Sequence, residues 1–297
     1  MAVRPVVAGR PPGRWQVGEV RITQVVESQG ASPPSFLFAD LSVERVQSHG
    51  WLRPHFAHAD GRLFASIHCF VIESEGRTVV VDTCVGNDKQ RATAMWNDLH
   101  GPFLEDFERA GFAPDRVDVV LCTHMHTDHV GWNTRWVDGR WQPTFGNARH
   151  LFSRTEYEHW QAAGDDDERQ VIADSIRPVI DAGLADWVAS DHAVTPEVRL
   201  EPTPGHTPGH VSVRIRSRGD EAVITGDLMH HPIQCCEPGI AARFDVDPAQ
   251  ARETRLGFLR EQAARRVLVL GTHFSAPTAG WIVAAGDTWQ FAVTRPV

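Results

Sequence analysis

The sequence predicts a layered α/β protein, and three observations carry that expectation. Short β-branched runs recur along the chain, segments of helical period lie between them, and several runs end on a residue able to bind metal. The 297 residues are 42% hydrophobic and 23% charged, which supports a sizeable core and argues against a disordered chain or a fibrous repeat. Lys plus Arg is 29 and Asp plus Glu is 38, giving a formal net charge of −9. An acidic chain without a basic block lacks the surface that displaces counterions from nucleic acid, so no nucleic-acid partner is expected.

Taken in order, the run 78–81 leads into Asp82, and 117–121 passes through Cys122 and Thr123 to His124. The run 223–226 leads into Asp227, and 267–270 passes through Gly271 and Thr272 to His273. Runs this short and this rich in Val and Ile read as buried strands. Residues 211–216 alternate instead, which predicts an antiparallel strand with one face in water. Helices are expected at Phe103 to Ala110 with Gly111 as the stop, and from a capping box formed by Ser153 and Glu156 toward Trp160. A third has its apolar face on Ile172, Ile176, Val179 and Ile180, and a fourth opens at Asp247 and Pro248. Because elements interleave without a repeat or linker, 1–297 is expected to form a single domain. The irregular, aromatic segment 29–60 reads equally as a lid shaping a substrate pocket or as a surface excursion packing on its own domain.

Five cysteines (Cys69, Cys84, Cys122, Cys235 and Cys236) form no paired spacing, as in a reducing compartment. No apolar run of signal-peptide length occurs between Met1 and Trp15, and none reaches the ~18 residues of a membrane span. A cytoplasmic protein without a membrane partner is expected.

The strongest local signal is His124-Met125-His126-Thr127-Asp128-His129, directly after a buried strand. One histidine there reads as a surface turn residue; three with an aspartate have no packing reason to gather. Neutral imidazole binds zinc at ~2.0–2.1 Å and carboxylate at ~2.0–2.2 Å, and a catalytic zinc needs three protein ligands and one open position. Remaining ligands must come from elsewhere, and His206, Asp227 and His273 stand at turns or strand ends.

The series His-x-His-x-Asp-His, Gly-His, Gly-Asp and Thr-His, spread from Asp82 to His273, is similar to that of the metallo-β-lactamase-fold hydrolase superfamily. The resemblance implies an αββα sandwich, two mixed sheets flanked by helices. It places one metal on His124, His126 and His206 and a second on Asp128, His129 and His273, with Asp227 bridging. Asp82, Thr123 and Thr272 would orient ligands, and His210 would have a supporting role. The two cations, most readily zinc with iron, manganese or cobalt as alternatives, would share a hydroxide that attacks a carbonyl or phosphoryl centre. Asp128 would shuttle the proton.

An aspartate at the Asp227 position argues against antibiotic hydrolysis in this superfamily. The sequence around Asp227 and His273 is nearest the methyl parathion hydrolase and quorum-quenching lactonase branch, which implies an ester, lactone or phosphotriester substrate. Lactonases of this kind carry a tyrosine three residues past the bridging aspartate; here that residue is His230, a candidate catalytic group facing substrate oxygen, and the only tyrosine is Tyr157. N-acyl homoserine lactone hydrolysis, and one-iron oxidation of the persulfide dioxygenase type, are the alternatives. Phe36, Phe38, Trp51, Trp132 and Phe274 are candidate walls of a pocket for a small-molecule substrate. Relatives are frequently dimers, so a homodimer is an expectation by analogy.

Overall fold

The computed structural model describes residues 12–295; most of the stretch from Met1 to Trp15 therefore lies outside the described residues. A seven-stranded sheet has the order β1(Arg14–Val17), β2(Val20–Ser32), β3(Leu63–Ser74), β4(Arg77–Val81), β5(Val119–Leu121), β8(Arg149–Ser153), β9(Ala185–Val188). The hairpin β6(Thr134–Val137) and β7(Arg140–Pro143) stands apart from it. A six-stranded sheet runs β10(Val198–Pro202), β11(Val211–Ser217), β12(Asp220–Ile224), β13(Leu268–Leu270), β14(Ala279–Ala285), β15(Thr288–Ala292). Both sheets are mixed: β4, β5, β8 and β9 are parallel neighbours in the first and β12 and β13 in the second. The helices are α1(Pro34–Leu37), α2(Val43–Ser48), α3(Phe103–Arg109), α4(Thr127–Val130), α5(Arg154–Ala163), α6(Asp166–Val171), α7(Arg177–Asp181), α8(Ile233–Cys236) and α9(Pro248–Arg265).

Three apolar layers hold these elements together. The central one joins the sheets, with Ile22, Phe70, Val79, Val81 and Leu121 of the first against Val198, Val213, Ile215, Ile224 and Leu270 of the second. On the outer face of the first sheet, Val71, Val80, Val120 and Phe152 meet Phe103 and Phe107 of α3, Trp160 of α5 and Val179 of α7. On the outer face of the second, Val223 and Val269 meet Phe258 and Leu259 of α9 and Ile233 of α8. The result is the αββα sandwich. Burying each of these aliphatic side chains contributes about 1.5–3 kcal/mol before conformational entropy opposes it.

Two local expectations are corrected. Strand β11 is wet only at Arg216: Arg214 is buried beneath α9, its guanidinium donating to Glu201 and to Gln262 Oε1 at 2.9 Å, and Ser212 donates to Thr225 O. The capping box at α5 is half made, since Ser153 Oγ accepts the Glu156 amide but no return bond from the Glu156 carboxylate forms. The third helix is broken by a π turn at Ile172–Ile176. That turn carries Asp174 to Lys89 (3.3 Å) and to both Arg91 terminal nitrogens (2.7 and 2.8 Å), all buried, which anchors the long loop after β4. Segment 29–60 is tied into the third layer through Leu37, Phe38, Leu41, Leu52 and Phe56. No helix among the described residues is long and apolar enough to cross a membrane.

Candidate metal centre

Every strand end singled out in the sequence opens on one edge of the sandwich. Parallel β4 and β5 stop together, placing Asp82 beside the loop that begins at Thr123. His126 caps α4, which carries Asp128 and His129. From the second sheet come His206 on the turn before β11, Asp227 after β12 and His273 after β13. The Val211 amide donates to Thr123 O at 3.1 Å, joining the two sheets at this edge. Gly131 is required for close approach here: a Cβ on it would stand 1.7 Å from the Val85 carbonyl oxygen.

The side chains fall into two groups around Asp227. In the first, His126 Nδ1 lies 3.0 Å from His124 Nε2 and 2.9 Å from His206 Nε2, while Asp227 Oδ2 is 3.8 and 3.5 Å from those two nitrogens. In the second, His129 Nε2 and His273 Nε2 are 3.3 Å apart and lie 3.7 and 3.6 Å from the Asp128 carboxylate oxygens. Asp227 Oδ1 is 3.3 Å from His129 Nε2 and 3.1 Å from His273 Nε2. One carboxylate thus turns an oxygen to each group.

This donor set fits divalent cations. Three imidazole nitrogens facing one point cannot all hydrogen-bond to one another, whereas tetrahedral ligands at ~2.05 Å from a zinc stand about 3.3 Å apart. Asp227 Oδ1 is buried without a hydrogen-bond partner, the condition of an atom shaped to bind something else. Burial, reinforced by neighbouring imidazoles, holds His124 and His206 well below the ordinary histidine range and His126 at about 4, so all three present lone pairs at neutral pH. For His129 and His273 burial acts in the same direction, but Asp227 and the other carboxylates outweigh it and raise both. Burial would raise Asp227, yet the surrounding imidazoles hold it well below the carboxylate range.

The far nitrogen of four of these histidines is engaged. Asp82 Oδ2 accepts from His129 Nδ1 at 3.0 Å, and the Ser66 carbonyl accepts from His273 Nδ1 at 3.1 Å. Thr123 Oγ lies 3.1 Å from His124 Nδ1. Asp245 Oδ1 pairs with His206 Nδ1 at 2.9 Å, and its other oxygen accepts the Ala242 amide. These bonds direct the opposite nitrogen into the cluster. Sequence reasoning missed Ser66 and Asp245. Thr272 instead donates its amide to Thr225 Oγ, and its own hydroxyl has no partner. His210 Nε2 accepts the Asp227 amide at 2.8 Å, which burial supports by holding that imidazole at about 3 and hence neutral.

His230 is buried, with Nε2 3.3 Å from Asp227 Oδ2, and its ring stacks parallel to His273 at 6.0 Å; neither ring nitrogen has a hydrogen-bond partner. Of the five aromatic residues expected to line a pocket, Phe38, Trp132 and Phe274 are buried in the apolar layers, and Trp51 packs on the third layer. Phe36 meets Trp96 and Phe244 edge to face at 6.4 and 6.2 Å, beside the Asp245 loop. Neither Trp96 nor Phe244 was singled out in the sequence.

Comparison with known proteins agrees with this geometry. Residues 63–285 match the Metallo-beta-lactamase superfamily. The N-acyl homoserine lactonase AiiA of Bacillus thuringiensis subsp. kurstaki is 27% identical over 173 residues, or 53% of this chain and 61% of that relative, so the match spans less than two thirds of its length. Among solved structures, the hydrolase AbOPH of the beta lactamase superfamily superposes with a TM-score of 0.79 at 25% identity, covering 98% of this chain and 100% of that one. The dizinc quorum-quenching lactonase AidC shares the fold, with a TM-score of 0.79, 17% identity and coverage of 96% and 98%. On the match over 63–285 and the ligand arrangement within it, the chain belongs to the metallo-β-lactamase superfamily.

Proposed function

We propose that this chain is a two-cation hydrolase of a carboxyl ester, lactone or phosphotriester. The observation that carries the reading is the Asp227 carboxylate, whose two oxygens face two separate groups of ligands. Cations bound there, most simply zinc given the nitrogen and oxygen donors, supply Lewis-acid polarisation of a substrate oxygen and lower the pKa of water. His124, His126 and His206 would hold one; Asp128, His129 and His273 would hold the other.

The protein's own side chains then divide the work. Asp128 is the more exposed of the two cluster carboxylates, at 10% against 4% for Asp227, so it is the one able to accept a proton and return it to a leaving group. His230 offers an N–H toward substrate oxygen from a ring braced by Phe38, edge-on at 6.5 Å. Phe36, Trp96 and Phe244, the last 41% exposed and next to Asp245, form an apolar cluster that would suit an apolar substituent. Similarity to N-acyl homoserine lactonases supports a lactone among the substrates. Free cysteines throughout support a cytoplasmic setting.

The test is a zinc-loaded chain assayed on one lactone, one aryl ester, one phosphotriester and one β-lactam, with metal content measured alongside. About two zinc ions per chain and turnover of the first three classes are expected. One iron per chain with oxygen consumption would overturn the reading. His230→Ala should lower turnover at least tenfold with metal content unchanged; full turnover on every substrate would remove His230 from the mechanism.

A further inference from the structure

The serine and glutamate of the expected capping box lead to a connection that the ligand list does not contain. Glu156, in the first turn of α5, is fully buried, and no ion pair to it occurs among the described residues. Its carboxylate turns inward. Oε1 accepts the Gly209 amide at 2.6 Å, and Oε2 accepts Trp160 Nε1 at 3.0 Å. A buried carboxylate satisfied only by neutral donors is costly to place, so its retention needs a positional reason.

The donors supply that reason. Gly209 lies three residues past His206 on the same turn. The Trp160 ring is 5.1 Å from that of His126. Gly209 permits the contact: a Cβ there would stand 2.5 Å from Ser153 Oγ and 3.0 Å from Glu156 Cγ. His126, through the Trp160 ring, and His206, through its own turn, are therefore both tied to a single carboxylate. The imidazoles of the second group are held instead by Asp82 and Ser66.

We infer that Glu156 is a positioning residue for the first ligand group alone, clamping the 124–126 loop of one sheet to the 206–209 turn of the other. The inference rests on the two-cation reading above. It makes the two cations unequal in their dependence on α5. Glu156→Gln keeps the shape but turns an amide N–H₂ toward one of the donors; Trp160→Phe keeps the ring near His126 and deletes one donor.

The experiment is zinc competition with a chromophoric chelator on wild type, E156Q and W160F, with His206→Ala and His273→Ala identifying which equivalent belongs to which group. Cobalt-loaded spectra and the thermal midpoint of the metal-free chain accompany it. The expected result for E156Q is a tenfold or greater loss of affinity for the equivalent lost in His206→Ala, the other staying within threefold. W160F should show a smaller loss in the same equivalent, and it decides the matter if E156Q does not fold. Equal weakening of both equivalents, or of neither, in variants whose metal-free fold is intact overturns this inference alone. A wild-type chain that binds no zinc overturns it together with the function proposed above.

Discussion

Replacing Asp82 by Asn removes one charge and almost no volume from a side chain that meets three donors. Oδ1 accepts the Thr123 amide at 2.7 Å, and Oδ2 accepts both the Thr123 hydroxyl at 3.0 Å and His129 Nδ1 at 3.0 Å. The residue sits at φ +57°, a conformation Asn tolerates, so the backbone is controlled. An amide offers one oxygen. If its nitrogen takes the Oδ1 position it faces the Thr123 N–H. If it takes the other, His129 escapes the clash only by moving its proton to Nε2, the nitrogen 3.3 Å from Asp227 and needed for a cation. Losing a charge-assisted bond costs about 1.5–3 kcal/mol. Losing the partner that orients a ligand imidazole lowers metal affinity about 10–100-fold, or about 1.4–2.7 kcal/mol. The two routes agree. Chelator competition should therefore show zinc affinity reduced 10–100-fold in Asp82→Asn, and a variant within threefold of wild type would refute this account of His129.

Acid should destabilise the fold partly through His150, which burial holds at about 4, far below its unfolded value. Between pH 6.5 and pH 4 the unfolded chain binds the additional proton, so stability present above that window is lost as pH falls; at pH 5 the loss is on the order of 2 kcal/mol. His150→Leu should flatten the urea midpoint between neutral pH and pH 5, and an unchanged slope would contradict the assignment. Gly131→Ala should cost more than about 4 kcal/mol, because the collision is with Val85 backbone rather than a movable side chain; an unaltered thermal midpoint would show that the loop relaxes. Stripping metal should lower the thermal midpoint and zinc should restore it, since a cation at 1,000 times its Kd adds about 4 kcal/mol. A midpoint indifferent to chelator would mean that the native state binds no metal tightly.

The ligand positions were legible because each lies where the sequence changes character. His124, Asp227 and His273 follow β-branched runs within a few residues, and the end of a buried strand is where a polar side chain can leave the core. Their supports were less legible for specific reasons. Ser66 acts through its carbonyl, which every residue possesses, and Asp245 sits in a loop with no period to mark it. Glu156 was visible, but its spacing from Ser153 has an ordinary local explanation that the packing of the 206–209 turn overrides. Strand β11 misled because alternation reports side-chain type, and Arg214 found partners on α9 and β10 that make burial tolerable.

The distribution of ligands between sheets has a mechanical consequence. His124 and His126 come from the first sheet and His206 from the second; Asp128 and His129 come from the first and His273 from the second. Each group is therefore incomplete on either sheet alone, and a cation bound in each would act as a strut across the central apolar layer. That layer is close-packed, so a shift in sheet spacing passes to the edge instead of being absorbed by voids. Trimming Val213 or Ile224, both fully buried in it, should loosen the cations as well as the fold. Replacing the equally buried Val71 on the outer face should cost stability while leaving the distances between ligand groups alone. Stability and metal affinity are in this sense one property at the inner face of the sandwich and two separate ones outside it.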